Sequence, residues 1–528
     1  MKRAVIGVVL GIAWLSPTTG ADEPTGRRWW SHVAVLADDA MEGRDTGSPG
    51  HRKAADYVAK EFEKLGLMPA GLDGFLQPVA LKSRSLDEPN CRLSLVRDGV
   101  EVPLAIGDDA LLSLRVDPAP TFEAPLVFAG YGLSIPEIGH DDFQGLDARG
   151  KLVVYLRGAP PEVPGPLAAH SQSEGARSEA LRKAGAIGAV SIANPKHMDI
   201  PWERAALARS LPSMALADPS FDDNRGLTAG ASINPAKAEK LFEGTGHTFR
   251  EILDLADNGR PLPHFEIPAK LKGTVAVSRT DVASQNVAAL WPGTDPALAG
   301  EYVVFTAHLD HLGVGKPISG DPIYNGAMDN AAGVASLLDV AAMLKESGAR
   351  PKRPILFVAV TGEEKGLLGS KYFAEHPSIA GARIVANLNS DMFLPLFPLK
   401  RLVVYGREES DLGEDAESAV KAAGLALEPD PEPLRNVFIR SDQYSFIRRG
   451  IPALSFKIGY EKGSAEESTF KNWLKDRYHA PSDDLNQPVD KPAAESFDRV
   501  MADLLVRIAN RDEAPRWKDS SFFKRFAP

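Results

Sequence analysis

Five short segments of the chain combine histidine and carboxylate residues in a way that suits a metal centre. Imidazole and carboxylate groups together are ligands that zinc and related divalent ions accept. Each segment alone is weak, because a histidine near an aspartate is often a surface pair and an aspartate before a helix is often a cap. Five such segments in one chain are far more specific. They are AHLDHLG at 307–313, NGAMDN at 325–330, TGEE at 361–364, NSDM at 389–392 and YHAPSDD at 478–484.

The apolar runs that precede three of these segments predict buried strands. These runs lie at 302–305, 355–360 and 384–388, and a helix is predicted over 331–346. Buried strands that alternate with helices predict an α/β fold, with a doubly wound, mostly parallel mixed sheet and helices on both faces. Since functional loops in such sheets follow the carboxyl ends of the strands, we expect the five segments to converge at one edge.

The part of the chain before residue 285 has a different texture. Helices are predicted over 29–66, and short β-rich runs separated by glycine and proline follow from about residue 92. A strand, a helix and a strand over 151–192 predict a small α/β unit. The expected organisation is a signal peptide at 1–21, a main domain at 22–118 and 263–512, an inserted domain at 119–262 and a C-terminal tail at 513–528.

The first residues have the pattern of a secretory signal peptide. Lys2 and Arg3 precede an apolar run at 4–15, and small residues lead to Ala21. The run is too short to cross a bilayer, and no later apolar stretch is long enough, so we expect an exported mature chain, periplasmic or secreted, without a transmembrane segment. The formal net charge of −11 argues against nucleic acid as a partner. The single cysteine, Cys91, excludes an intrachain disulfide.

The five segments together resemble the M28 family of zinc aminopeptidases, in the version with an inserted protease-associated domain. The resemblance extends to LADDAMEGRDTGSPG at 36–50 and to RSDQYSFIRRGIPAL at 440–454. The segments at 126–158 and 177–195 resemble a protease-associated domain, which would act as a lid or a substrate-selecting wall. The implied fold is that of the zinc-peptidase phosphorylase/hydrolase class.

The resemblance implies a pair of zinc ions; cobalt or manganese can take the same kinds of ligands. In the family pattern one aspartate bridges the two ions, and a histidine and a carboxylate complete each site. The corresponding residues of this chain are the bridging Asp329, His308 with Asp391 on one ion, and Glu364 with His479 on the other.

Other residues are assigned supporting roles by the same resemblance. Glu363 would be the general base rather than a ligand, and Tyr478 would hydrogen-bond the developing oxyanion. Asp310 is expected to accept the second ring N–H of His308, and Asp484 is expected behind His479. His311 is expected to be structural.

The predicted function is therefore an exported metallo-aminopeptidase acting on peptides with a free N-terminus. A carboxypeptidase on the same scaffold would need an arginine or lysine for the substrate carboxylate, and no such residue is assigned from sequence. A glutaminyl cyclase-like transferase would use one zinc, and a receptor-like binding module would lack ligands, so the complete ligand set favours the two-metal hydrolase. The sequence does not define an oligomeric state.

Overall fold

The computed structural model describes residues 25–435 and 437–527, so the predicted signal peptide at 1–21 lies outside the described residues. The helices are, in chain order, α1 Arg27–Leu36, α2 Pro49–Leu65, α3 Gly165–Gln172, α4 Glu174–Lys183, α5 Trp202–Ala205, α6 Glu239–Phe242, α7 Phe249–Asp257, α8 Ala332–Ser347, α9 Leu368–Glu375, α10 Leu412–Ala422, α11 Gln443–Ile447, α12 Ala465–Asp476 and α13 Lys491–Ala509. The strands are β1 Met68–Pro69, β2 Leu76–Leu86, β3 Arg92–Arg97, β4 Val100–Pro103, β5 Ala110–Leu112, β6 Thr121–Ala129, β7 Ser134–Ile135, β8 His140–Asp141, β9 Leu152–Leu156, β10 Gly188–Ile192, β11 Ser213–Leu216, β12 Ala229–Ile233, β13 His264–Thr274, β14 Val277–Trp291, β15 Glu301–His308, β16 Gly313–Ile318, β17 Asp321–Tyr324, β18 Ile355–Val360, β19 Arg383–Asn389, β20 Arg401–Tyr405, β21 Ala426–Glu428 and β22 Ala453–Ile458.

The larger sheet has the strand order β11-β2-β14-β18-β15-β19-β22-β20-β21, with β1 paired to β14. Its centre, from β18 through β15 and β19 to β22, is parallel. The flanking pairs β14–β18, β2–β14 and β20–β22 are antiparallel. The predicted α/β fold with a mixed sheet is confirmed, but parallel pairing is largely confined to the centre and is less extensive than expected.

Both faces of the central strands are covered, which explains their unbroken apolar runs. Phe305 and Phe357 pack on the face shared with α8, whereas Val304 and Val358 pack on the opposite face with Phe373 of α9. The helical stretch Ala327–Ser347 is long and apolar enough to cross a membrane, but 94% of its apolar window is buried inside the structure, as in a core helix.

A second sheet forms the inserted domain, in the order β4-β3-β13-β6-β9-β10-β12-β5. It takes strands from Arg92 to Thr274, so it extends beyond the predicted boundaries of 119 and 262 on both sides. Strand β11 leaves this domain and pairs with β2 of the larger sheet. The inserted domain is therefore tied to the main domain by a shared strand pair as well as by its chain crossings.

The C-terminal tail packs across both domains. Trp517 and Phe523 are buried, and the Trp517 indole donates to the Gly450 carbonyl over 2.8 Å. Arg525 forms an ion pair with Glu137 of the inserted domain. The tail thus fastens the inserted domain to the main domain.

Candidate active site

The predicted metal-site segments meet at one edge of the larger sheet. His308 is the last residue of β15, which lies between its parallel neighbours β18 and β19. Glu363 and Glu364 follow β18, and Asp391 follows β19, so their loops open at the same edge as His308. The convergence expected at the carboxyl ends of the strands is present.

Asp329, just before α8, is shared between two histidine–carboxylate pairs. Its Oδ1 lies 3.2 Å from Nε2 of His308, and Oδ1 of Asp391 lies 3.7 Å from the same nitrogen. Its Oδ2 lies 3.2 Å from Nε2 of His479, which in turn is 3.3 Å from Oε2 of Glu364. The two oxygens of one carboxylate therefore face two separate pairs of candidate ligands.

This donor set fits divalent metal. Two ligands bound about 2.0–2.1 Å from a tetrahedral ion lie about 3.3 Å apart. The contacts of Asp329 with His308 and His479, and that of His479 with Glu364, are 3.2 or 3.3 Å long. Nε2 of His308 and Oδ1 of Asp391 are buried without a hydrogen-bond partner, a costly arrangement unless another group binds them. These residues are therefore suited to hold a metal.

The expected role of Asp310 is wrong in one respect. Nδ1 of His308 lies 3.0 Å from the backbone oxygen of Asp310, not from its carboxylate. The fully buried carboxylate instead accepts the backbone N–H groups of Glu363 (3.1 Å) and Glu364 (3.4 Å) and the Thr46 hydroxyl (2.8 Å). One residue thus orients His308 through its main chain and the glutamate loop through its side chain.

Asp484 makes no hydrogen bond with His479 among the described residues, and the buried carboxylate of this segment is that of its neighbour Asp483. Asp484 is partly exposed and accepts the backbone N–H of Asn486, which makes it a turn residue. Asp483 is fully buried and accepts the backbone N–H groups of Met328 and Asp329. Its carboxylate therefore supports the loop that carries the shared aspartate, rather than His479.

His311 takes part in the site, although sequence reasoning made it structural. It is fully buried, and its Nδ1 lies 2.8 Å from Oε1 of Glu364 and 3.9 Å from Oδ2 of Asp329. Since Oε2 of Glu364 faces His479, the hydrogen bond from His311 fixes which oxygen is presented there. His311, Asp329 and Glu364 also form a possible ligand group in their own right.

Glu363 lies beside the ligand pair His308 and Asp391 without a side-chain partner among the described residues. Burial raises the pKa of its carboxyl well above the usual value, and the charges of Glu364 and Asp391 act in the same direction while His308 opposes them. A carboxylate with a raised pKa can both take up and release a proton near neutral pH.

The two candidate histidine ligands are surrounded by negative charge. Burial alone would lower the pKa of His308, but Glu363, Asp329 and Asp391 outweigh it and hold that pKa well above its usual value. The pKa of His479 is raised in the same way, against burial, by Glu364 and Asp329. The cluster has the excess of negative charge that a divalent cation would balance.

Arg440, which sequence reasoning left without a role, connects the inserted domain to the site. It lines the pocket that contains Glu363 and Tyr478. Its guanidinium donates to Oδ2 of Asp199 over 2.8 Å, and Oδ1 of Asp199 lies 2.9 Å from Arg435. Asp199 belongs to the inserted domain, so a carboxylate of that domain holds two cations of the main domain beside Glu363 and Tyr478.

Two cavities meet at the metal-site residues. A pocket of about 100 Å³ contains Asp329, Glu363 and Asp391 at one side. A cleft of about 1560 Å³ runs between the inserted and main domains and reaches Glu363 and His479. The inserted domain thus forms one wall of the approach to the site.

Gln443 lies in the segment at 440–454 that resembles the M28 family, and its side chain is buried. Its side chain accepts from Asn389 over 2.8 Å and donates to the Phe438 carbonyl over 2.8 Å. It therefore braces the strand end before Asp391 and leaves the ligand set intact.

The residue types in the sequence could have identified some of the residues that were missed. Lys457 is the charged residue of β22, whose other residues are all buried, and a charged side chain in such a strand is rarely buried unless it is paired. Asp483 stands next to Asp484, and only the fold decides which of the two points inward.

The sequence is similar to known peptidases over part of its length. Residues 286–505 match the profile of Peptidase family M28. The leupeptin-inactivating enzyme 1 of Streptomyces exfoliatus is 28% identical over 222 residues, which is 41% of this chain and 46% of that protein. Human carboxypeptidase Q is 24% identical over 256 residues, which is 47% of this chain and 44% of that protein. The chain thus spans less than half the length of these curated relatives.

Solved structures share the fold over nearly the whole chain. An aminopeptidase from Aneurinibacillus sp. strain AM-1 superposes with a TM-score of 0.56 at 18% identity, covering 94% of this chain and 95% of that one. A zinc aminopeptidase from Bacillus subtilis superposes with a TM-score of 0.51 at 18% identity, covering 95% and 97%. At this identity the likeness establishes the fold.

Proposed function

We propose that the chain is an exported dinuclear zinc aminopeptidase that removes N-terminal residues from peptides, and the match of residues 286–505 to the profile of Peptidase family M28 supports this proposal. One observation carries the proposal. Asp329 presents one carboxylate oxygen to His308 and the other to His479, as a carboxylate that bridges two ions would. A single-zinc cyclase would have no need for this second pair.

The site residues have two kinds of role in the proposed hydrolysis, which are holding zinc and transferring a proton. His308, Asp391, Glu364 and His479 would hold two zinc ions around Asp329. Bound zinc supplies Lewis acidity that polarises the scissile carbonyl and acidifies a water. Glu363 accepts the proton of the attacking water and then delivers it to the leaving amine.

Tyr478 and Arg440 face the same reacting centre. The Tyr478 ring contacts the His479 ring with centroids 4.0 Å apart and planes tilted by 37°, and both residues line the pocket with Glu363. The Tyr478 hydroxyl donates to the oxyanion that develops on the scissile carbonyl. Arg440 lies close enough to Tyr478 for its charge to influence the pKa of that hydroxyl, and it strengthens the same stabilisation.

The test of this proposal uses the mature chain from Asp22. Leucine, glutamate and lysine p-nitroanilides are assayed with and without a chelator, beside their N-acetylated forms. We expect release that requires a free amine, is lost with the chelator and returns with zinc, at two zinc ions per chain by elemental analysis. Release from acetylated substrates, or full activity with one zinc, would refute the proposal.

Carboxypeptidase activity is the second candidate, and the pocket cations favour it. Arg435, Arg440 and Lys457 line the pocket beside the metal ligands, and cations of this kind could bind a terminal carboxylate. The human relative named carboxypeptidase Q points the same way. N-blocked dipeptides with a free or an amidated C-terminus distinguish the two activities, because only a carboxypeptidase cleaves the free form and spares the amidated one.

The export of the chain and the protease-associated identity of the inserted domain remain part of the proposal. The predicted signal peptide at 1–21 supports export, and N-terminal sequencing of the protein from a secreting host would test it. A mature N-terminus at Asp22 is the expected result.

A further inference from the structure

Lys457 is the unusual residue of the pocket beside the metal ligands. It belongs to β22, where the other residues of the strand are buried and it alone is partly exposed. The exposed part faces the pocket that also contains Asp391 and Glu363. Burying a cation in a central strand is unfavourable unless a polar or charged group binds it, so the position of Lys457 at the pocket wall suits a bound ligand.

The ammonium group of Lys457 has spare hydrogen-bonding capacity. Its Nζ donates to the backbone oxygen of Asp391 over 2.5 Å, and no other acceptor is within reach among the described residues. Within the described part of the chain, no carboxylate oxygen lies within 4.0 Å of this nitrogen. An ammonium has three donors, so two remain for a bound group.

The two arginines of the pocket are already paired with carboxylates. Arg435 contacts Glu432 and Asp199 at 2.9 Å each, and Arg440 contacts Asp199 at 2.8 Å. Among the described residues, Lys457 is then the pocket cation without a carboxylate oxygen within 4.0 Å, although the charge of Asp391 acts on it from farther away. Its preferred ligand is therefore an anion.

The pocket has room and surface for a short aliphatic stem that leads to such an anion. Its volume is about 100 Å³, and its walls include Leu394, Ile458 and Phe470. The Tyr460 hydroxyl, on the same wall, is buried without a hydrogen-bond partner. A substrate oxygen could satisfy it, which removes the cost of leaving a buried hydroxyl unpaired.

We propose that this pocket binds the side-chain carboxylate of a glutamate or aspartate residue at the substrate's N-terminus, with Lys457 as the residue that determines the specificity. The proposal rests on the proposed aminopeptidase function and names its substrate class. The apolar walls contact the side-chain methylene groups, and Lys457 pairs with the carboxylate at their end.

The experiment compares glutamate, glutamine and leucine in wild type and in the variants K457M, K457R and K421M. Lys421, exposed near the end of α10, provides the matched control. Binding of L-glutamic acid α-amide, L-glutamine amide, L-leucine amide and free L-leucine to the zinc-loaded protein is measured by calorimetry. The three corresponding p-nitroanilides supply kcat/KM. The α-amides have no free terminal carboxylate, so only the side chain can reach Lys457 as an anion.

We expect wild type to prefer the glutamate compounds over the glutamine ones by about 10- to 100-fold, the gain from one charge-assisted pair. K457M should abolish the preference, while K457R and K421M should keep it. The readout is the ratio of the glutamate compound to the glutamine compound within one protein. Damage to the metal site lowers binding or kcat/KM for both compounds and leaves this ratio unchanged.

Equal binding of the glutamate and glutamine amides by wild type, or an unchanged ratio in K457M, would overturn the proposal. Tighter binding of free leucine than of its amide, lost in K457M, would overturn it in favour of a terminal-carboxylate subsite. If no p-nitroanilide is cleaved but the Lys457-dependent glutamate preference persists in calorimetry, the aminopeptidase proposal fails and the subsite stands.

Discussion

Replacing Asp310 by asparagine should slow catalysis much more than it weakens zinc binding. The carboxylate accepts the backbone N–H groups of Glu363 and Glu364 as well as the Thr46 hydroxyl. Asparagine keeps one oxygen and places an NH₂ group where the other was. That group would face an N–H donor or the hydroxyl, and the hydroxyl alone can rotate to accept from it. The contact of His308 with the backbone oxygen of residue 310 is left intact.

The magnitude follows from the bonds that change. One hydrogen bond to a charged acceptor contributes about 1.5–3 kcal/mol, and this loss falls on the loop that positions Glu363, the proposed general base. Expressed in the transition state, it lowers kcat/KM by about 10- to 150-fold. Zinc affinity should change much less, because Glu364 retains its hydrogen bond from His311 and its contact with His479.

The assay measures kcat/KM on the best p-nitroanilide, together with zinc affinity by competition with a chromogenic chelator. Thr46→Val is the control, since it removes a neutral donor and leaves both backbone bonds. It should cost less than about tenfold. A fall in zinc affinity as large as the fall in kcat/KM would refute the reasoning, because it would mean that the carboxylate holds the ligand shell itself.

Three further outcomes are expected. Glu363→Gln should retain both zinc ions and lose about 10²- to 10⁴-fold in kcat, and loss of metal would instead make it a ligand. Zinc binding to chelator-treated protein should release protons and weaken as pH falls. Nearby carboxylates raise the pKa of His308 and His479, so both rings tend to be protonated and zinc must displace a proton from each. Calorimetry in buffers of different ionisation enthalpy would detect the released protons, and zinc binding without proton release would contradict the prediction. Asp498→Asn should stabilise the protein increasingly as pH rises from about 4. Burial and then the charge of Asp339 raise the pKa of Asp498, so ionisation of this carboxyl lowers the free energy of unfolding of the wild-type protein as pH rises above about 4. Denaturant unfolding of both proteins at several pH values would test this, and a difference in unfolding free energy that does not change with pH would contradict it.

The metal-site edge could be predicted because strand order and residue order are linked in parallel sheets. Once β15, β18 and β19 are recognised as buried neighbours, the residues that follow them must lie together, whatever the loops do in detail. The antiparallel flanks could not be predicted in this way. Strands β2 and β14 pair across the whole inserted domain, and no local pattern links residues so far apart in sequence.

Two of the errors within the site concern which group of a loop points inward. The role of Asp310 was assigned to its carboxylate, but the turn after β15 brings its carbonyl to His308 and its side chain to the glutamate loop. Asp483 and Asp484 are chemically identical, and only the main-chain path places the first against Asp329. Residue type and spacing define a set of candidate ligands, whereas backbone dihedrals decide which member makes each contact.

Lys457 shows the opposite case, in which the sequence carried a signal that only the structure could interpret. A lysine inside an apolar strand predicts either a strand edge or a polar contact. The structure excludes the edge, because β22 pairs with β19 on one side and β20 on the other. The ammonium group of Lys457 therefore needs hydrogen-bond acceptors, and among the described residues its hydrogen-bond acceptor is the backbone oxygen of Asp391. The remaining capacity faces the pocket beside the metal ligands, so the residue that least fits its strand is the one best placed to select a substrate.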